Sequence, residues 1–331
     1  MKVLVSGGAG YIGSVVVAQL VAAGHEVVVY DNLSKGHRES VSPGATLVVG
    51  DVGDRASLND AFVKCHPDAV MHFAAWIEAG ESMRDPAKFF RNNTANALTL
   101  LETVLAHRVR RFVFSSTAAL YGDPESTPIS ETDKLLPTNA YGESKFLVER
   151  MLDWFHRIHG LSYASLRYFN AAGATETLGE QHDPESHLIP IILQVASGQR
   201  ERVSIFGDDY DTPDGTCVRD YIHVSDLASA HLLALNALHS YVAPTKLIYN
   251  LGNGQGFSVR EVIECARRVT GHPIPAVVES RRAGDPATLV ASSKKIRSEL
   301  GWNPQYPDLE RIVRSAWEYL QRKTLVERKL N

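Results

Sequence analysis

Cysteine is scarce in this 331-residue chain: Cys65, Cys217 and Cys265 are its only three, far apart, and three cannot all pair. A disulfide framework is therefore excluded, and the expectation is small buried thiols in a reducing cytoplasm. Runs of Lys or Arg are missing as well. Thirty-four basic residues against 38 acidic ones leave a net charge of -4, which removes the footprint of a nucleic-acid or anionic-membrane binder. No uninterrupted apolar stretch is long enough to span a bilayer. The N-terminal residues, one lysine and then a strand pattern broken by glycines, lack the apolar core and cleavage site of a signal peptide. Internal repeats and low-complexity segments are absent too. With 44% hydrophobic residues the chain can bury a sizeable core, as one large α/β domain with a smaller appendage or as two domains.

Short β-branched or apolar runs at 2–6, 26–30, 46–49, 69–73 and 111–115 alternate with helical patterns at 13–23, 57–64 and 86–107. Near-continuous apolar strands between helices predict a doubly wound parallel sheet of the Rossmann type, covered on both faces. Residues 141–159 place Leu147, Met151, Trp154, Phe155 and Ile158 on one helical stripe ended by Gly160, and 161–169 reads as a further strand. Beyond Asn170 the texture turns to Gly, Thr, Glu, Asp and Pro. The expected division is a cofactor-binding domain at 1–170 and a smaller C-terminal substrate-binding domain at 171–331. Residues 218–235 and 247–252 look sheet-compatible, so pieces around 218–252 are expected to return to the first domain.

Glycines follow the first run. Gly8, Gly10 and Gly13 satisfy G-x-G-x-x-G, and Gly7, Gly10 and Gly13 give a second regular spacing. Missing side chains let the backbone approach a pyrophosphate, which then rests on the positive end of the next helix. Asp31 closes the second run, where a carboxylate accepts from ribose hydroxyls and repels a 2′-phosphate, favouring NAD over NADP.

Twelve tyrosines make a Tyr followed four residues later by Lys unspecific in itself. Position carries the inference for Tyr141 and Lys145: they open the long helix after the fifth strand, whose end bears Thr117 at the carboxyl edge where such sheets bind ligands. A lysine one turn away favours phenolate over phenol. Lowering a Tyr pKa from about 10 to about 7 takes roughly 4 kcal/mol, and one cation at about 4 Å supplies on the order of 4 kcal/mol at an effective dielectric of about 20. Lys145 and a positive nicotinamide ring are expected to act together, which suits proton removal from a sugar or alcohol hydroxyl coupled to hydride transfer to that ring.

Taken together, these motifs resemble the extended short-chain dehydrogenase/reductase superfamily, and within it the sugar-nucleotide 4-epimerases. The likeness runs almost end to end. It covers the glycine turn, Tyr30-Asp31-Asn32-Leu33, His72-Phe73-Ala74-Ala75, residues 114–122 and 141–145, and Arg167-Tyr168-Phe169-Asn170. It continues through 206–224 and ends with Arg282-Ala283-Gly284-Asp285-Pro286. The resemblance implies NAD-dependent epimerisation of a UDP-hexose at C4 through a transient 4-keto sugar, with Tyr141, Lys145 and Thr117 catalytic. It implies that Tyr11, Ile12, Asn32, Asp51, Val52, Phe73, Ala74, Asn92, Tyr168 and Phe169 join Gly7, Gly10, Gly13, Asp31, Tyr141 and Lys145 around NAD. Asn170, Leu188, Phe206, Arg219, Arg282 and Asp285 would hold the UDP portion. Guanidinium groups suit a diphosphate, while an ion pair with a neighbouring Asp is the alternative for Arg219. A homodimer is implied too, packed through the apolar faces of 86–107 and 141–159, although each face would serve equally as internal core.

Four positions depart from the pattern. Ile77 stands where some relatives carry Lys, Thr117 where Ser is usual, and Ser292 where Asp is common. Thr288 is aligned with a Tyr that closes the sugar pocket in hexose-restricted relatives, so UDP-N-acetylglucosamine and UDP-N-acetylgalactosamine are expected substrates as well. A 4,6-dehydratase would need an acid/base pair beside Thr117, where Ala118 and Ala119 stand. A UDP-pentose or UDP-glucuronate 4-epimerase is not separated by motifs, and a non-catalytic NAD sensor would be expected to lack the Tyr or the Lys. No metal is expected: His156 and His159 share a helix face without completing ligands, and Asp208, Asp209, Asp211 and Asp214 read as a loop near the substrate.

Overall fold

Isolated strands leave their backbone polar groups unpaired, so the short apolar runs of this chain gain by pairing with one another. The computed structural model describes residues 1–282 and 284–330, so Ala283 of the 282–286 motif lies outside it. Its first strands are β1 (Lys2–Ser6), β2 (Glu26–Asp31), β3 (Ala45–Val49), β4 (Ala69–His72), β5 (Arg111–Thr117) and β6 (Ser162–Tyr168). There follow β7 (Asn170–Ala172), β8 (Val203–Phe206), β9 (Val218–His223) and β10 (Lys246–Leu251). A seven-stranded sheet runs β10-β6-β5-β4-β1-β2-β3, with every pair parallel. This is the doubly wound architecture the sequence predicts. Strand order reverses between β1 and β4, and there the sheet's carboxyl edge opens into a crevice.

Alternation of side chains sorts the core into two layers. Val3, Val5, Val27 and Val29 pack with the helices Tyr11–Ala22 and Val224–Ser240. Leu4, Val28 and Tyr30 pack with Arg55–Cys65, Asn96–Ala106 and Ala140–His159 on the opposite face. Three further strands, β11 (Gly256–Ser258), β12 (Ala276–Glu279) and β13 (Thr288–Leu289), belong to smaller sheets. There β9 pairs with β7, β11 and β13, while β8 pairs with β12. The helices Leu188–Ala196, Val259–Thr270 and Leu309–Leu330 supply a third core.

Two local expectations are corrected, and a third, left open between core and partner contact, is narrowed. Residues 86–107 do not form one uniform helix: Pro86–Phe89 and Asn96–Ala106 are joined by the π-helical Phe90–Ala95. There the Asn93 amide leaves its own helix to bond the Trp76 backbone in both directions, at 2.9 Å each, and the Ser144 hydroxyl at 3.0 Å. Residues 218–235 are strand only to His223; the alanine- and leucine-rich run beyond is the helix Val224–Ser240, started by a hydrogen bond from Ser225 N to His223 Nδ1. The apolar stripe of 141–159 is not core at its end either. Trp154 is 59% and Ile158 67% exposed, and the buried face carries Ser144, Lys145, Val148, Glu149 and Leu152.

All three cysteines are buried free thiols. Among the described residues, no helix is long and apolar enough to cross a membrane.

Candidate active site

The crevice between β1 and β4 continues toward β9 and β13 as one cavity of about 420 Å³. Its floor begins at the glycine turn. Gly7 has φ +76°, and a Cβ there would lie 2.4 Å from the Ala74 nitrogen; at Gly13 a Cβ would lie 2.2 Å from the Gly7 oxygen. Gly10 starts the helix Tyr11–Ala22 without a side-chain cap, and no acidic residue occupies the first turn. The helix therefore offers its positive end and backbone donors to an anion. This cradle fits the pyrophosphate of a dinucleotide, and we expect Gly7→Ala protein to purify with at most about a tenth of the bound nucleotide of wild type, a bulky clash at φ > 0 being the cause. The ratio of absorbance at 260 and 280 nm checks it.

Asp31, at the end of β2, is held by hydrogen bonds from Ala9 N at 3.0 Å and Leu33 N at 2.8 Å. Asp51 accepts from Asn32 Nδ2 and from Gly53 N, both at 2.7 Å. Every residue assigned to NAD from the resemblance borders this cavity: Gly7, Gly10, Tyr11, Ile12, Gly13, Asp31, Asn32, Asp51, Val52, Phe73, Ala74, Asn92, Tyr141, Lys145, Tyr168 and Phe169.

Across the crevice, Asn139 caps the helix Ala140–His159 by accepting from Gly142 N at 2.8 Å, which fixes the turn bearing Tyr141. Tyr141 N donates to Ser82 Oγ at 3.1 Å, and Thr117 lies near enough to the phenol to lower its pKa. Burial pushes that phenol up to about 12; Thr117 pulls it down and Glu78 pushes it further up, each by less. Burial also pulls the Lys145 ammonium down to about 7. Lys145 Nζ donates to the Ser115 carbonyl at 2.9 Å and sits 4.9 Å from the Phe114 ring centre. Within the protein alone burial dominates both shifts, so the joint action expected of Lys145 and a positive nicotinamide ring has to work against desolvation.

On the far side, Arg219 and Asp285 meet as a 2.5 Å ion pair, and Arg282 lies 3.8 Å over the Phe206 ring. Asn170, Leu188, Arg219, Arg282 and Asp285 line the cavity, as does Thr117. Phe206 and Thr288 do not: Phe206 lies under Arg282, and Thr288 is displaced by strand parity. Successive strand residues face opposite sides, and in β13 it is Leu289 that borders the cavity. Of the aspartates at 208–214, Asp209 pairs with Arg281 and Asp214 accepts from Thr216 and Ser258. Trp76, Glu180, His182 and His187 also border the cavity, none of them flagged by sequence spacing.

Comparison with known proteins agrees with this geometry. The family model of the NAD dependent epimerase/dehydratase family matches residues 3–252. A UDP-glucose 4-epimerase of Halalkalibacterium halodurans is 54% identical over 321 residues, covering 96% of this chain and 95% of its own. The crystal structure of UDP-glucose 4-epimerase from Brucella ovis in complex with NAD is similar at a TM-score of 0.91 and 46% identity, over 96% of this chain and 97% of that one. The Bifidobacterium longum UDP-glucose 4-epimerase in complex with NAD+ and UDP superposes at a TM-score of 0.93 and 36% identity, over 98% and 99%.

Proposed function

The chain belongs to the NAD dependent epimerase/dehydratase family, and on that premise we propose that it interconverts UDP-glucose and UDP-galactose by inverting C4. The observation that carries this reading is a single cavity that joins the glycine cradle, Tyr141 with Thr117, and the Arg219, Arg282 and Asp285 set. NAD, when bound, supplies the hydride acceptor and then the donor at sugar C4. Tyr141 takes the proton of the 4-hydroxyl and returns it, and Thr117 holds the reacting oxygen in line with that phenol. Arg219 and Arg282 grip the diphosphate, so the hexose is held chiefly through its nucleotide and can present either face. Purified protein, incubated with UDP-galactose and no added cofactor, is expected to form UDP-glucose. Absence of conversion, with or without added NAD, would overturn the proposal.

Leu289 takes over the role first given to Thr288: its modest side chain leaves room for a 2-acetamido group, so N-acetylated substrates are accepted. Leu289→Tyr should lower turnover of UDP-N-acetylgalactosamine at least about tenfold and spare UDP-galactose, the size discrimination an apolar pocket supports. Thr288→Tyr should change neither.

The exposed Trp154 and Ile158, with Leu98 on the neighbouring helix at 38% exposure, form the apolar face of a homodimer in this reading. Ile158→Glu should yield a monomer by analytical ultracentrifugation. Three unpaired buried thiols suit a cytoplasmic protein.

A further inference from the structure

Glu180, His182, Glu185 and His187 stand on one short segment at the wall of the crevice, and one ligand atom from each lies within 4.8 Å of all the others. We propose that this cluster binds a divalent transition-metal ion of the zinc class, a site separate from the proton-transfer machinery. The donor set is two imidazoles and two carboxylates, which suits zinc, cobalt or nickel better than calcium or magnesium. Three of the four side chains are largely shielded from solvent, at 10% exposure for Glu180, 15% for His182 and 4% for Glu185.

Local geometry separates the cluster from an ordinary ion-pair network. His182 Nδ1 approaches Glu180 Oε1 to 2.5 Å, yet it makes no hydrogen bond although it is shut off from solvent. His187 Nδ1 faces Glu180 at 3.7 Å and Glu185 at 2.8 Å. The hydrogen bonds that Glu185 accepts, from Ser186 N, His187 N and the His187 ring, all fall on Oε1. His187 and Glu185 share one hydrogen bond, while His182 Nδ1 and the Glu180 carboxylate converge without one, an arrangement a cation would satisfy. Ligand atoms around a tetrahedral zinc stand roughly 3.4 Å apart, so binding would draw the segment inward.

The segment is anchored for such a role. Lys35 and His37, on the loop that follows Asp31, bond the Asp183 and Gln181 carbonyls, and Lys323 Nζ bonds Gln181 Oε1 at 2.7 Å. His187 begins the helix Leu188–Ala196, whose first residue borders the cavity. A bound ion would tie the loop after β2 to that helix, bracing the substrate side of the crevice without entering the reaction.

The test uses NAD-loaded protein treated with a chelator and then dialysed against Zn²⁺, with bound metal measured by inductively coupled plasma mass spectrometry. Wild type should take up one equivalent per chain. Glu180→Gln and His182→Asn should each weaken uptake at least about tenfold, the scale on which even outer partners of a metal act. Should either variant fail to fold by circular dichroism, the Co²⁺ complex of wild type decides: visible d–d bands that Zn²⁺ bleaches support the site. No stoichiometric uptake, undiminished uptake by both folded variants, or no such bands would overturn it. Because the readout is metal content, its failure leaves the sugar reading untouched.

Discussion

Tyr141→Phe should lower kcat for UDP-galactose by about two to four orders of magnitude, the range a positioned acid/base contributes, with KM changed only a few-fold. The phenol borders the cavity beside Thr117 at the mouth of β5. Its ring is half-buried against the crevice wall, so phenylalanine keeps the packing and removes only the hydroxyl. In the proposed binding mode the nucleotide half of the substrate would be held by Arg219 and Arg282, so binding should survive. Stopped assays at pH 7 and pH 9 measure it. Turnover within a few-fold of wild type at either pH would remove Tyr141 from the reaction and pass the proton to another group.

What the sequence displays, and what it hides, divides along one physical line. Features written in local spacing are legible: the glycines at 7, 10 and 13 need only one turn, Asp31 needs only the end of its strand, and Tyr141 and Lys145 need only one helical turn between them. Features set by parity or by distant burial are not. Thr288 and Leu289 differ by one position in a two-residue strand, and that single step moves a side chain from the cavity to the opposite face. Trp154 and Ile158 fit a core stripe by period alone, yet nothing in a period says whether protein or solvent lies beyond. The π-helical Phe90–Ala95 follows from Asn93 reaching Trp76, 17 positions earlier in the chain, which no window of local propensity contains. The Glu180 and His187 cluster lies in a segment without periodicity, where chemistry is visible only once the chain has folded back on itself.

Lys145 is where the electrostatics become most demanding. Passing the proton from a phenol at about 12 to an amine at about 7 is unfavourable by five units, about 7 kcal/mol at 1.36 per unit. Attraction between the resulting ions at about 4 Å returns on the order of 4 kcal/mol at an effective dielectric of about 20. About 3 kcal/mol remain, which assigns the lysine a necessary share and leaves the rest to the positive nicotinamide ring. Lys145→Met should therefore cut kcat at pH 7 by about a thousandfold, equivalent to the lost 4 kcal/mol. The sign of the pH dependence follows: without the ammonium the phenol titrates higher, so the missing base form returns as pH rises, and the residual rate should climb about tenfold per unit from pH 7 toward pH 10. Stability moves the other way. A buried amine whose pKa is lowered on folding binds fewer protons in the native state between about 7 and 10.5, so its burial opposes folding most at or below neutral pH. Methionine relieves that penalty, and thermal melts should show Lys145→Met no less stable than wild type at pH 7. A variant that is slow, stable and flat across pH would mean that Lys145 only positions the dinucleotide; one that is slow, stable and alkaline-rescued identifies the ammonium as what holds Tyr141 ready to take a proton.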